Sequence, residues 1–102
     1  MLNHCPPLDL VFHALADPAR RGMVEQLSRG PASVRVLAEP LDMSLPAVMQ
    51  HLRVLEASGL VRSEKIGRVR TCRIDPSALS EVEQWITEQR ATRNNRLDRL
   101  GV

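Results

Sequence analysis

Aromatic residues are almost missing from this chain of 102 residues: Phe12 and Trp85 are the only two, and there is no tyrosine. Proteins that hold single strands or RNA loops stack bases on aromatic side chains, so that mode of binding is poorly supported. Cysteine is scarce as well. Cys5 and Cys72 do not make a disulfide framework, and a reducing cytoplasm is the expected compartment. No apolar run approaches the ~18 residues needed to span a bilayer. The start, MLNHCPPLD, has neither the positive region nor the apolar stretch of a signal peptide. Glycine-rich phosphate loops, G-x-S-x-G elbows and H-E-x-x-H motifs are missing too, which argues against the common catalytic plans. Asp9 and His13, spaced i and i+4, form the one acid–base pair available, and helix stabilisation accounts for them more simply.

The length suits one domain, expected to occupy residues 1–102. A domain this small buries a limited share of its surface, so a second copy is a natural source of further burial. The formal net charge is only +2, too little to imply a nucleic-acid partner by itself. Its distribution is more telling. Between Arg62 and Arg73 stand Arg62, Lys65, Arg68, Arg70 and Arg73 against a single acid, Glu64. This short segment therefore carries more positive charge than the whole chain has net.

Periodicity gives the elements. Leu8, Val11, Phe12, Leu15 and Ala16 fall on one face of a helix. Asp17-Pro18 then supplies an N-cap and a first-turn proline for a second helix, with Met23, Val24 and Leu27 inward and Gly30-Pro31 as its stop. Ser33 caps a short third helix with Val34, Leu37, Ala38 and Leu41 inward, and Pro40 ends it near Glu39 or Leu41. Ser44 caps a fourth helix from about Leu45 to Ser58, closed by Gly59. Leu60–Ile66 and Val69–Ile74 read as two strands joined at Gly67-Arg68. Asp75-Pro76 starts a long last helix with Leu79, Val82 and Ile86 at helical spacing beside Trp85, and a polar, basic far end expected to fray. The expected fold is mainly α with a small β-hairpin: a winged helix-turn-helix of about five helices plus a two-stranded wing.

On a wheel of the fourth helix, Leu45, Val48, Leu52 and Leu55 share the side expected to face the core. Pro46, Gln50, Arg53 and Ala57 point away, and Ala47 and Met49 lie on the flanks. Such an outward face suits the major groove of duplex DNA. Gln50 can bond adenine N6 and N7, Arg53 can reach guanine or a phosphate, and a small Ala47 allows close approach. The helix N-terminus and the Ser44 hydroxyl suit a phosphate. The expected DNA-binding set is thus Ser44, Pro46, Ala47, Gln50 and Arg53 on the helix, with Lys65, Arg68 and Arg70 on the wing. His51, between the two faces, is read equally as a buried histidine orienting the helix or as a DNA contact.

Three stretches carry a family resemblance: the LADP-x-RR start, the S-x-x-x-V-x-x-HL-x-x-L-x-x-x-GLV block from Ser44 to Val61, and the G-R-x-R turn at Gly67. From about Leu8 to Trp85 the chain resembles the ArsR/SmtB family of small winged-helix transcription regulators. The resemblance implies a repressor that leaves its operator when an effector binds. It also implies a homodimer joined by the first and last helices, reading an inverted repeat whose half-sites lie about 34 Å apart. The chain departs from the metal-sensing members. The helix before the recognition helix, VRVLAEPL, has no cysteine, and the last helix has no histidine, so neither familiar metal site is expected and no cofactor is implied. Met49 stands where many members have serine, so a serine contact to DNA is not carried over. The alternatives are a winged helix that binds only protein, and a thiol- or metal-responsive regulator using Cys5 (beside His4) or Cys72. In the latter the surrounding arginines would lower the thiol pKa; two isolated cysteines favour the plainer reading of a bystander and a strand filler.

Overall fold

The computed structural model describes residues 8–99. Its elements run α1 (Leu8–Leu15), α2 (Pro18–Leu27), β1 (Ala32–Ser33), α3 (Val34–Ala38), α4 (Leu45–Ala57), β2 (Val61–Ile66), β3 (Val69–Ile74) and α5 (Pro76–Arg99). The expected starts are present because each has an acceptor for an otherwise unpaired amide. Asp17 accepts from the Arg20 N–H, Ser33 from Val36 and Ser44 from Ala47. At the last helix, Asp75 accepts from both the N–H and the hydroxyl of Ser77. The basic far end expected to fray is helical through Arg99.

One core joins all elements. It contains Val11 and Ala14 of α1, Met23, Val24 and Leu27 of α2, and Val34 and Leu37 of α3. Val48, Leu52 and Leu55 of α4 meet Leu60, Val61 and Cys72 at the root of the hairpin, with Ala78 closing one end. The two registers of periodicity explain this division: helical residues bury at spacings of three and four, and strand residues alternate. On β3, Cys72 is buried and Ile74 half-buried, while Val69 and Arg73 are exposed, as the alternation requires.

Two differences from expectation stand out. The wing is not a plain two-stranded hairpin: β1 pairs antiparallel with β3, Ala32 opposite Cys72 and Ser33 opposite Thr71, giving the order β1-β3-β2. Two residues carry no visible alternation, so this strand had no signature in the sequence. Leu45 is the second difference. It does not enter the core but stands 55% exposed, because the first residue of α4 lies beyond the elements that its later turns pack against.

Turn chemistry fixes the hairpin. Its register sets Ile66 opposite Val69 and leaves Gly67-Arg68 as the turn. Gly67 has φ 64°, a conformation open to glycine at little cost. At the root, the Asp75 N–H donates to the Leu60 carbonyl at 2.9 Å. Beside it, Arg62 Nε donates to Asp75 Oδ2 at 2.5 Å. This bond first, then those from Ser77, lowers the Asp75 carboxyl from 3.8 to about 2. The carboxylate thus stabilises the fold above its ordinary titration range, and that contribution is lost as pH falls through the native value. Arg62→Ala should lower the thermal midpoint near neutral pH. The gap from the parent protein should close between pH 3.8 and about 2, as followed by circular dichroism melts across that window.

Candidate nucleic-acid interface

The orientation of α4 is set from behind by the residues of the LADPARR segment. α1 ends at Leu15, leaving its last carbonyls without helical partners. Arg20 Nε donates to the Ala14 carbonyl at 2.7 Å and Nη2 to that of His13 at 3.1 Å. Arg21 Nη1 donates to the Leu15 carbonyl at 2.7 Å. The remaining Arg20 amine, Nη1, meets His51 Nδ1 of α4 at 3.2 Å. A guanidinium only donates, so Nδ1 is the acceptor in this contact. Asp17 Oδ2 is 4.0 Å from the same ring nitrogen. Its carboxyl is held low mainly by the Arg20 N–H. One arginine therefore seals a helix end and holds the middle of α4. His51 takes the orienting position of the two roles considered for it.

From this seat, α4 turns Val48, Leu52 and Leu55 inward and exposes Ser44, Pro46, Gln50 and Arg53. Ala47 and Met49 are half-buried on the flanks. Among the described residues, neither Gln50 nor Arg53 has a side-chain hydrogen bond within the chain, so both are free to bond elsewhere. The helix start is less open to an anion than the sequence suggested. Pro46 has no N–H, and the Ala47 N–H is taken by Ser44 Oγ at 3.3 Å. What the first turn still offers is the Leu45 N–H and the Ser44 hydroxyl proton.

The wing stands beside α4 and is tied to it. Glu56 of α4 accepts from the Ser63 hydroxyl of β2, and Arg70 Nη1 of β3 donates to the same Ser63 oxygen at 2.9 Å. Lys65, opposite Arg70 in the ladder, and Arg68 in the turn are exposed, and so is Arg70 despite its bond. Arg62 differs, since Asp75 occupies it. Residues from α3, from the flank of α4 and from Arg68–Arg70 line one cleft, so the outward helix and the basic hairpin lie on adjoining surfaces. The expected set thus stays together: Ser44, Pro46, Ala47, Gln50 and Arg53 on α4, and Lys65, Arg68 and Arg70 next to it. Sequence reasoning missed Arg20, Glu56 and Ser63. Of these, Arg20 had a signal in its position two residues after a helix-starting proline.

A short helix, a turn, an outward-facing second helix and a cationic hairpin make this a winged helix-turn-helix, the architecture of DNA-binding transcriptional regulators. A family profile described as a helix-turn-helix domain matches residues 15–64. The chain is 44% identical over 72 residues to the HTH-type transcriptional regulator Rv2034 of Mycobacterium tuberculosis, covering 71% of this chain and 67% of that protein. It is 39% identical over 89 residues to the arsenical resistance operon repressor of Escherichia coli, covering 81% and 75% respectively. Its alignment with the M. tuberculosis repressor SmtB, at 40% identity, spans 43% of that protein. Among solved structures, the ArsR family transcriptional regulator RHA00566 superposes with a TM-score of 0.83 at 49% identity, over 85% of this chain and 96% of that one. The homodimeric winged helix-turn-helix DNA-binding domain Mb0332 from Mycobacterium bovis shares the fold, with a TM-score of 0.64 at 24% identity over 88% and 81%. The chain belongs to the ArsR/SmtB family of winged helix-turn-helix transcriptional regulators.

For Cys72 the structure supports the plainer reading, a strand filler, over the thiol-responsive one. Neighbouring arginines do not leave it a reactive thiolate. The side chain is fully buried beneath the wing, and burial first, then the nearby Glu56 carboxylate, pushes the thiol up to about 11 against a weaker opposing effect of Arg70. Cys5 and His4 lie outside the described residues. Asp9 and His13 are both exposed, and no ion pair joins them among the described residues. Cys72 should therefore react with iodoacetamide at least about a hundredfold more slowly in the native protein than in urea. Mass spectrometry over a time course reads this directly, and equal rates in both states would refute it.

Proposed function

We propose that this chain is a cytoplasmic homodimeric repressor, folded as one domain, that binds double-stranded DNA at an inverted repeat. The observation carrying the proposal is the unpartnered polar face of α4, Gln50 and Arg53, set beside a cationic wing. In this reading α4 enters the major groove. Gln50 bonds an adenine edge and Arg53 a guanine or a phosphate, while Pro46 and Ala47 permit close approach and Ser44 donates to a phosphate. Lys65, Arg68 and Arg70 neutralise backbone charge in the neighbouring groove. The names of the relatives, repressors among them, support the same function.

The second copy is supported by apolar surface that the described residues of one chain leave exposed. Leu10 and Phe12 of α1 and Leu79, Trp85 and Ile86 of α5 are exposed large hydrophobics. Phe12 and Trp85 meet edge to face, with ring centroids 5.8 Å apart and planes at 72°, so apolar surface runs from one helix to the other at this pair. Covering it with the same patch of a second chain gives a two-fold arrangement, which matches two half-sites. Mb0332, with this fold, is homodimeric.

Fluorescence anisotropy with duplex DNA from the gene's own promoter tests the reading. Affinity should fall steeply as salt rises; a flat salt response would favour a protein-binding module instead. Gln50→Ala should cost about 1–3 kcal/mol at one base position, and Arg68→Ala should weaken all sequences alike and lower the salt slope by about one. In sedimentation experiments Trp85→Asp should shift the protein toward monomer and lower affinity for the full inverted repeat more than for a single half-site.

A further inference from the structure

A cleft of about 580 Å³ opens between α3, the first turns of α4 and the wing. Its size falls within the roughly 300–1,000 Å³ of small-molecule sites. Its two halves differ in chemistry. Leu45, Met49 and Val69 contribute apolar wall, and two of these are conspicuously wet: Leu45 is 55% and Val69 52% exposed. Arg35 and Arg68 line it as well, with no acidic residue in the lining and no ion pair to either among the described residues, whereas Arg70, also in the lining, donates its guanidinium to Ser63 beside Glu56. The helix wheel assigns Leu45 to the core; the fold instead leaves it at this cleft.

We propose that the cleft binds an amphipathic organic monoanion, a medium-chain carboxylate, with its head on Arg35 and Arg68 and its chain against Leu45, Met49 and Val69. Each half excludes simpler occupants. Inorganic phosphate would satisfy the cations and leave the apolar wall in water. A neutral alcohol would cover the wall and leave Arg35 and Arg68 without a counter-charge. A DNA backbone is hydrophilic and makes no use of the wall. Only a molecule with both features matches both halves, and planar guanidinium groups pair well with carboxylate oxygens. The site also bears on regulation, and here the inference rests on the DNA-binding reading above. Arg68 would serve both the carboxylate and the phosphate backbone, so the ligand and the duplex compete for the same cation.

Octanoate is the probe, with octan-1-ol and inorganic phosphate as its separate halves. Calorimetry and amide NMR on the whole chain, without DNA, should show saturable binding of one octanoate per chain. Shifts should centre on residues 34–38, 45–49 and 68–70, and both control compounds should bind far more weakly. Arg35 lies outside the proposed DNA contacts. Arg35→Gln should lower octanoate affinity about tenfold, the loss of one charge-assisted contact, while duplex affinity stays within about twofold. Val69→Ser, at another exposed position, should weaken octanoate and leave phosphate unchanged. Octan-1-ol binding as well as octanoate, phosphate binding as well as octanoate, or an Arg35→Gln variant of unaltered octanoate affinity would each overturn the site. In the DNA assay octanoate should displace the duplex from the parent protein and do so less from Arg35→Gln. Saturable octanoate binding without displacement would overturn the competition. A chain that binds octanoate but no duplex would overturn the DNA reading and leave the cleft standing.

Discussion

Arg20 braces α4 in its orientation. Three elements meet at its guanidinium: it closes the end of α1 through the His13 and Ala14 carbonyls, starts within the first turn of α2, and meets His51 on α4. A lysine could satisfy one of these acceptors but not the spread of them, since its donors radiate from one point. The apolar packing of Val48, Leu52 and Leu55, all fully buried, fixes the side of α4 that faces the core. The directional bond to His51 Nδ1 reinforces that rotation. The outward direction of Gln50 and Arg53 follows from it.

Most of the fold was legible because each boundary has a local chemical cause. Asp17, Ser33, Ser44 and Asp75 announce helix starts through an oxygen placed to accept a nearby amide, and the structure has those bonds. Gly59 and Gly67 mark reversals through the positive φ they adopt. β1 was illegible for the opposite reason: Ala32–Ser33 is a strand only because β3 lies alongside. Leu45 was misassigned because a helix wheel knows angle and not depth. The wheel shows which residues share a side, but the packed partner does not reach the first residue.

The residues of the proposed DNA surface were legible as a set, since an outward polar helix face and a run of arginines are visible in one dimension. What holds them in place was not. Glu56, Ser63 and Arg70 are separated by seven residues at each step, and their network exists only once β2 and β3 have folded back on α4. Cys72 shows the same limit. Its arginine neighbours in sequence alternate to either side of the strand, and the environment that governs the thiol is burial beneath the wing.

The shortest strand has a mechanical consequence. Ser33 pairs with Thr71 of β3 and is also the cap of α3, so the base of the hairpin is riveted to the first helix of the helix-turn-helix. The hairpin is a cantilever: clamped at Thr71 and Cys72, tied again through Arg70, Ser63 and Glu56, and projecting beyond them from Lys65 to Val69. Its tip can bend to follow a groove of variable width, while a load large enough to shift its base must tilt α3 with it.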